Sequence, residues 1–195
     1  MKHIDKFVPP WQKGMEAIPQ TINNLITFQV GIFQFKDSLR FLPLSLSDLV
    51  ATLKPEDFKA IKRHPALSKA PRDNDGNPCD EDIELFKRKG IEAHSAMTGE
   101  HMFDLTEPLP RGAFYNELRD EHVSEEDHNH HVKFWKVTKP KNLYENYKNY
   151  CLTDTLLLAD VFMAFSDDAL SECGIEPAKY LSLADFTSEA EYSGK

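Results

Sequence analysis

YKNYCLTDTLLLADVFMAF, residues Tyr147 to Phe165, reads as a helix, and its reading decides how the rest of the chain is understood. An α-helix turns once per about 3.6 residues, so Tyr150 and Asp154 share one face. Leu157, Leu158, Val161, Phe162 and Phe165 continue at helical spacing. Burying such a helix carries Asp154 inward beside its own apolar stripe. An inward carboxylate is costly unless it is paired, hydrogen-bonded or bound to a cation. Spacing alone does not make a site, because Y-x-x-x-D is a common string and a helical aspartate ordinarily faces water. Nearby, Asp160, Asp167 and Asp168 read as solvated surface charges.

Around that stretch, composition sets bounds. A chain of 195 residues accommodates one domain, or a domain and a tail, and 41% hydrophobic residues can build a core. No apolar run approaches the ~20 residues of a membrane span, and no charged-then-apolar leader precedes the first turns. The cysteines Cys79, Cys151 and Cys173 are widely spaced with no C-x-x-C pair, so neither a zinc ribbon nor a disulfide framework is expected. A reducing, intracellular compartment is the expectation. The net charge of -9 argues against an overall basic nucleic-acid binder. A local basic strip is still available at Lys54, Lys59, Lys62, Arg63, Lys69 and Arg72, opposed only by Glu56 and Asp57. An ordinary soluble helix and loop would read the same way.

Taken in order, Met1 to Gln20 reads as an irregular entry broken by prolines and Gly14. Leu25–Val30 and Phe33–Phe35, separated at Gly31, predict a β-hairpin, with Phe33 and Phe35 on one buried face. Ser45 and Ser47 are candidate caps for a short helix. Pro55 opens a predicted helix over PEDFKAIKRH, and Pro65 to Asp80 reads as a loop. A short amphipathic helix is expected over Asp80 to Lys89 with Gly90 as its stop, and RGAFYNEL suggests another short helix. Ser124 and Asp127 mark an N-terminus, Pro140 an interruption, and Asn142 the cap of a final helix ending near Cys173 and Gly174. Leu181 to Lys195 is polar and expected to fray.

His122, His128, His130 and His131 cluster, and imidazole is a common zinc ligand. With acidic neighbours and no nearby cysteine, a solvated helix face is the preferred reading. No Walker-type loop and no nucleophile elbow is present.

Several motifs in fixed order resemble the protein-primed family B DNA polymerases of small bacteriophages, adenoviruses, linear organellar plasmids and self-synthesising transposons. FQFKDSLRFLPLSLSDL (Phe33–Leu49) is similar to a family F-x-D-S-x-x-F-L-x-x-S-L-x-x-L pattern. LPRGAFYNEL (Leu109–Leu118), VSEED and FW follow in the family's order. Then comes LYENYKNYCLTDTLLLADVFMAF, similar to Y-L-x-T-D-x-L-L-L-A-D-V-F. The resemblance covers about Phe28 to Leu183. It implies that Tyr150 and Asp154 form the third motif of a 3′–5′ proofreading exonuclease, Asp154 as a ligand of Mg²⁺ or Mn²⁺ and Tyr150 as the phenol that orients the attacking water. It also implies contact of Ser38, Leu39 and Leu42 with single-stranded DNA and a terminal protein. Leu39, Phe41 and Leu42 are equally readable as core at a strand end.

The departures are as informative. The family's exonuclease draws its carboxylates from three motifs; here D-x-E on an early strand and the asparagine–aspartate segment are not found, nor are the polymerase motifs Y-x-D-T-D and S-L-Y-P. The expectation is therefore α+β and mostly helical: the C-terminal part of an RNase-H-like exonuclease domain over 1–180, with a β-hairpin and a long C-terminal helix, then a frayed tail over 181–195 leading toward the palm. Alone, such a chain is expected to be catalytically silent. A non-catalytic module binding single-stranded DNA or a terminal protein is the alternative, and an unrelated helical interaction protein a third reading.

Overall fold

A computed structural model describes residues 15–19, 25–69, 80–116 and 120–192. The chain is mostly helical with small antiparallel sheets, an α+β arrangement. It divides into two compact units: residues 1–44 with 165–195, and residues 45–164.

In the first unit, β1 (Met15–Pro19), β2 (Leu25–Val30) and β3 (Phe33–Lys36) form a three-stranded antiparallel sheet in sequence order. The predicted hairpin is β2–β3. Gly31 sits at its turn with φ 60, a conformation that favours glycine. Phe28 and Phe35 pair across the strands and stack at 4.5 Å, whereas Phe33 on the same face remains 47% exposed. Met15–Pro19, expected to be irregular, is a strand paired with β2; the rest of that expected entry lies outside the described residues. Lys36 Nζ donates to the carbonyls of Ala178 (2.5 Å) and Tyr180 (2.8 Å), fastening β3 to the turn Pro177–Lys179. The expected fraying beyond Leu181 is corrected by α5 (Leu183–Tyr192). Ser182 Oγ accepts from the Asp185 N–H, and Phe186 is buried edge-on against Phe165 and Tyr180.

The second unit begins with α1 (Leu46–Val50), capped by Ser45 as its sequence indicates. α2 (Asp80–Phe86) and α3 (Glu125–Thr138) follow, the latter capped by Ser124, whose Oγ accepts from Asp127 N–H at 3.0 Å. Between them the expected short helix over RGAFYNEL is a 3₁₀ turn at Arg111–Phe114, followed by the strand β4 (Tyr115–Asn116), which pairs with β5 (Glu121–His122); residues 117–118 of that expected helix are outside the described set. α3 stops at Lys139, which takes a left-handed conformation just before Pro140. Asn142 then caps α4 (Leu143–Cys173), its Oδ1 accepting from Glu145 N–H, and Gly174 with φ 69 ends that helix.

One expectation fails for an identifiable reason. PEDFKAIKRH does not form an α-helix; it runs through turns into a 3₁₀ turn, Ile61–Arg63. The Asp160 carboxylate on α4 accepts three consecutive backbone N–H groups, from Lys59 (2.9 Å), Ala60 (2.5 Å) and Ile61 (2.9 Å). A helix would have sent those donors to carbonyls one turn back. Asp160, expected on the surface, is completely buried. Within the second unit the buried stripe of α4 comprises Leu143, Asn146, Thr153, Leu157, Asp160 and Val161, so the helix is rotated relative to the stripe inferred from its leucines. His64 adds a second tie: Ala66 N–H donates to its Nδ1 at 3.1 Å, which leaves the proton on Nε2 to reach the Asn149 carbonyl on α4 at 3.3 Å. Its ring begins a ladder, His64–Phe86–Phe134, with centroids 4.8 and 5.0 Å apart.

Each buried donor left without a partner costs about 1–3 kcal/mol. Asp160→Ala is therefore expected to lower the unfolding free energy by about 3 kcal/mol or more. Asp160→Asn, which keeps one acceptor oxygen, should cost less, and Asp168→Ala on the exposed side of α4 should stay within about 0.5 kcal/mol of wild type. Urea titrations measure all three, and an Asp160→Ala midpoint equal to that of Asp168→Ala refutes the clamp.

Candidate functional site

The site builds from the N-terminal half of α4 and the connector after α2. Tyr147, Tyr150 and Asp154 lie three and four residues apart, on neighbouring turns of one helix flank. The connector crosses this flank so closely that a Cβ added at Gly90 would lie 3.0 Å from Tyr150 Cδ2. Gly90, expected to stop a helix, instead lets the backbone pass the Tyr150 ring. Two residues on, Glu92 is brought to the same phenols.

Asp154 is half-buried, with Oδ1 fully enclosed and without a partner at hydrogen-bonding geometry. Burial raises its pKa, while the Tyr150 hydroxyl and the Lys89 ammonium pull it back. Tyr150 itself is raised, by burial first and then by the Asp154 charge. Tyr147 is raised likewise, by burial and by Glu92 beside it. Glu92 is pushed up from 4.5 to about 7: burial dominates, Tyr147 opposes, and the like charge of Asp154 adds. Two carboxylates and two phenols thus share one partly desolvated edge, with Lys89 as the nearby cation. Glu92 was not found by sequence reasoning, because the stretch around it has no periodicity that would turn it inward.

The geometry distinguishes the residues singled out from sequence. Tyr150 and Asp154 are brought together. Ser38, Leu39 and Leu42 belong to the other compact unit, at a 3₁₀ turn (Ser38–Arg40) capped by Asp37, whose Oδ1 accepts from Leu39 N–H at 3.0 Å. Leu39 is 58% exposed, Ser38 and Leu42 are half-buried, and Phe41 is core. Of the basic strip, Lys54, Lys59, Lys62 and Arg63 are exposed, while Arg72 lies outside the described residues. Asp82-Ile83-Glu84 spells D-x-E, but it lies on α2, with Glu84 ion-paired to Lys87.

Of the histidine cluster, His122 is exposed as expected, whereas the three on α3 are corrected from solvated to structural. His128 Nε2 donates to the Leu109 carbonyl and His130 Nε2 to that of Leu85, both at 3.0 Å. His131 is buried against Phe114, its pKa lowered to about 4 by burial and by its two histidine neighbours. Its Nε2 has no protein partner.

The metal implied by the resemblance can be tested against these donors. Asp154 offers one enclosed oxygen and Glu92 stands near it. Among the described residues, however, no group of three or more His, Cys, Asp or Glu side chains could hold a metal ion. A two-cation centre needs more oxygen ligands than this edge supplies, so the residues present do not fit one. Among the described residues, too, no helix is long and apolar enough to cross a membrane. No family model matches the chain, and neither the curated proteins nor the solved structures compared with it gave a match.

The titrating groups act in opposite directions on stability. Burial lowers His64, His130 and His131. Their contribution is complete above the ordinary 6.5 and is lost as pH falls through the lowered values, about 4 for His131. Glu92, raised from 4.5 to about 7, contributes fully below 4.5 and loses that contribution as pH rises through 7. Between these limits the two effects oppose each other. Glu92→Gln removes the falling component, so its stability should climb more steeply from pH 4.5 to 7 than that of wild type. Urea midpoints at half-unit steps read this directly, and equal slopes would show that Glu92 is not buried in its neutral form.

Proposed function

We propose that this chain is the C-terminal part of the RNase-H-like 3′–5′ proofreading exonuclease domain of a protein-primed family B DNA polymerase, an enzyme of DNA replication. The observation that carries the reading is the Tyr150–Asp154 pair, with the phenol laid against a half-buried acid that retains an unpartnered oxygen. In this reading Asp154 contributes one metal-ligating oxygen and Tyr150 directs a water toward the terminal phosphodiester of a single-stranded primer end. Mg²⁺ or Mn²⁺, which the residues present do not hold by themselves, would be held only with further carboxylates beside Asp154, and would there supply an activated water and neutralise charge at the leaving oxygen. The remaining carboxylates would come from the family's first two motifs, which these 195 residues do not contain. By itself the chain is then a silent nuclease fragment, and polymerase chemistry belongs to the parent enzyme.

The coding sequence upstream of Met1, read in frame, should encode D-x-E followed by an asparagine–aspartate motif. A protein carrying both should shorten a 5′-labelled oligonucleotide in Mg²⁺, whereas the 195-residue chain should leave it intact. In that longer protein Asp154→Ala should slow the reaction by more than about 100-fold and Tyr150→Phe by about 10-fold, beyond or within the range of outer-shell metal residues. Full activity of the Asp154→Ala protein would sink the assignment.

A second reading, a non-catalytic module that holds single-stranded DNA or a terminal protein, is favoured by the apolar side chains exposed in the first unit. Ile32, Phe33, Leu39 and Leu44 are 75%, 47%, 58% and 55% exposed. It predicts that the isolated chain retards a labelled oligonucleotide with an affinity that falls steeply with salt. Retardation that survives Leu39→Asp and Phe33→Asp together would argue against these residues as the contact.

A further inference from the structure

Behind the acid edge, with which it shares Gly90, Glu92 and Tyr150, a small cavity lies in the second unit where three segments meet. Gly90, Ile91 and Glu92 come from the connector, His130, His131 and Phe134 from α3, and Asn146, Tyr150 and Thr153 from successive turns of α4. Its size admits about one water molecule. Two of the lining side chains are more than nine-tenths buried and present an atom with no protein partner: His131, 6% exposed, through Nε2, and Asn146, 3% exposed, through Oδ1. The other polar lining groups are largely committed. His130 Nε2 is bonded to Leu85 O, and Thr153 Oγ1 donates to Asn149 O. Glu92 alone adds a carboxyl.

We propose that this cavity is a specific site for one internal water molecule, held by Glu92, His131 and Asn146, which joins the connector, α3 and α4 at a single point. Polar cavities of this size are occupied when two to four groups can bond the guest, whereas apolar ones stay dry. Here an amide oxygen can accept only, the imidazole nitrogen either donates or accepts according to its tautomer, and the carboxyl can do either according to protonation. A water satisfies all of these combinations, because it donates twice and accepts twice. A bare divalent cation fits less well, since only one carboxylate lines the space and the imidazole is crowded by His128 and His130. The site shares Tyr150 and Glu92 with the acid edge, but it is read by a bound water and not by nuclease activity, so it can fail without the exonuclease reading failing. Its consequence is mechanical: the water fixes the connector beside α4 and so holds Glu92 next to the phenols of that helix.

The test is water–protein cross-relaxation by NMR on the full 195-residue chain, isotope-labelled, read at the carbon-bound protons of His131 and Asn146. The expected result is a cross-peak at the water frequency with the sign of a resident that outlives molecular tumbling. Asn146→Leu, which fills the space, should abolish the cross-peak at His131 while His64 keeps its resonances, and His131→Phe should abolish the one at Asn146. Absence of a long-lived cross-peak in the wild type overturns the proposal, as does an His131 Nε2 chemical shift reporting a direct bond to Asn146. Selective broadening of these resonances by micromolar Mn²⁺ would also overturn it, in favour of a cation.

Discussion

The Asp160 carboxylate is the contact on which the second unit depends. A charged group with no exposed surface is stable only when its lone pairs are taken up by donors. Here three consecutive backbone N–H groups take them, and each bond satisfies two partners at once. Those same donors would otherwise be orphaned in a segment that is not helical, beside the buried Phe58 and Ile61. The acid therefore fixes both the course of residues 59–61 and the rotation of α4 about its axis. With that rotation set, Leu157 and Val161 turn to the core, Asn146 and Thr153 reach the inner cavity, and Tyr150 and Asp154 come to rest on the flank.

What the sequence made legible follows the range of the interactions involved. Ser45, Ser124 and Asn142 cap helices through bonds to residues three positions away, and Gly31 and Gly174 adopt positive φ within the turn they make. Those features were readable because the physics is local. PEDFKAIKRH was misread because its competitor is about a hundred residues distant; propensity favoured helix, and a remote carboxylate captured the donors. The histidines were misread for a related reason. Acidic neighbours in sequence suggested solvent, while the carbonyls of Leu85 and Leu109, which no local pattern announces, accept from the ring N–H groups of His130 and His128. The tail was misread because α5 is held by Phe165, far upstream, more than by its own polar surface.

The candidate site shows the same division. Y-x-x-x-D was legible as a helical pair, and its inward tendency followed from periodicity. Glu92 was not legible, because a connector without period carries no signal of which side chain turns toward α4. Gly90 is the clue: a residue without Cβ where an added Cβ would lie 3.0 Å from an aromatic ring atom. The consequence is a like-charge pair at one desolvated edge, a local conflict of the kind that stable folds tolerate chiefly where a function requires it.

The two acids of α4 also explain why the flank, and not the centre of the buried stripe, is where chemistry can reside. Asp160 lies at the centre, completely buried, and both of its oxygens are engaged by backbone donors, so no ligand can reach it. Asp154 lies about two turns earlier on the margin. There it is desolvated enough for its charge to be felt, close enough to Tyr150 to be oriented, and still in possession of an uncommitted oxygen. A carboxylate that anchors a fold must have its lone pairs filled, and one that serves a substrate or a cation must keep some open. The helix separates these two tasks by six residues, which sets the second acid about a third of a turn around the axis from the first and leaves it facing the connector that carries Glu92.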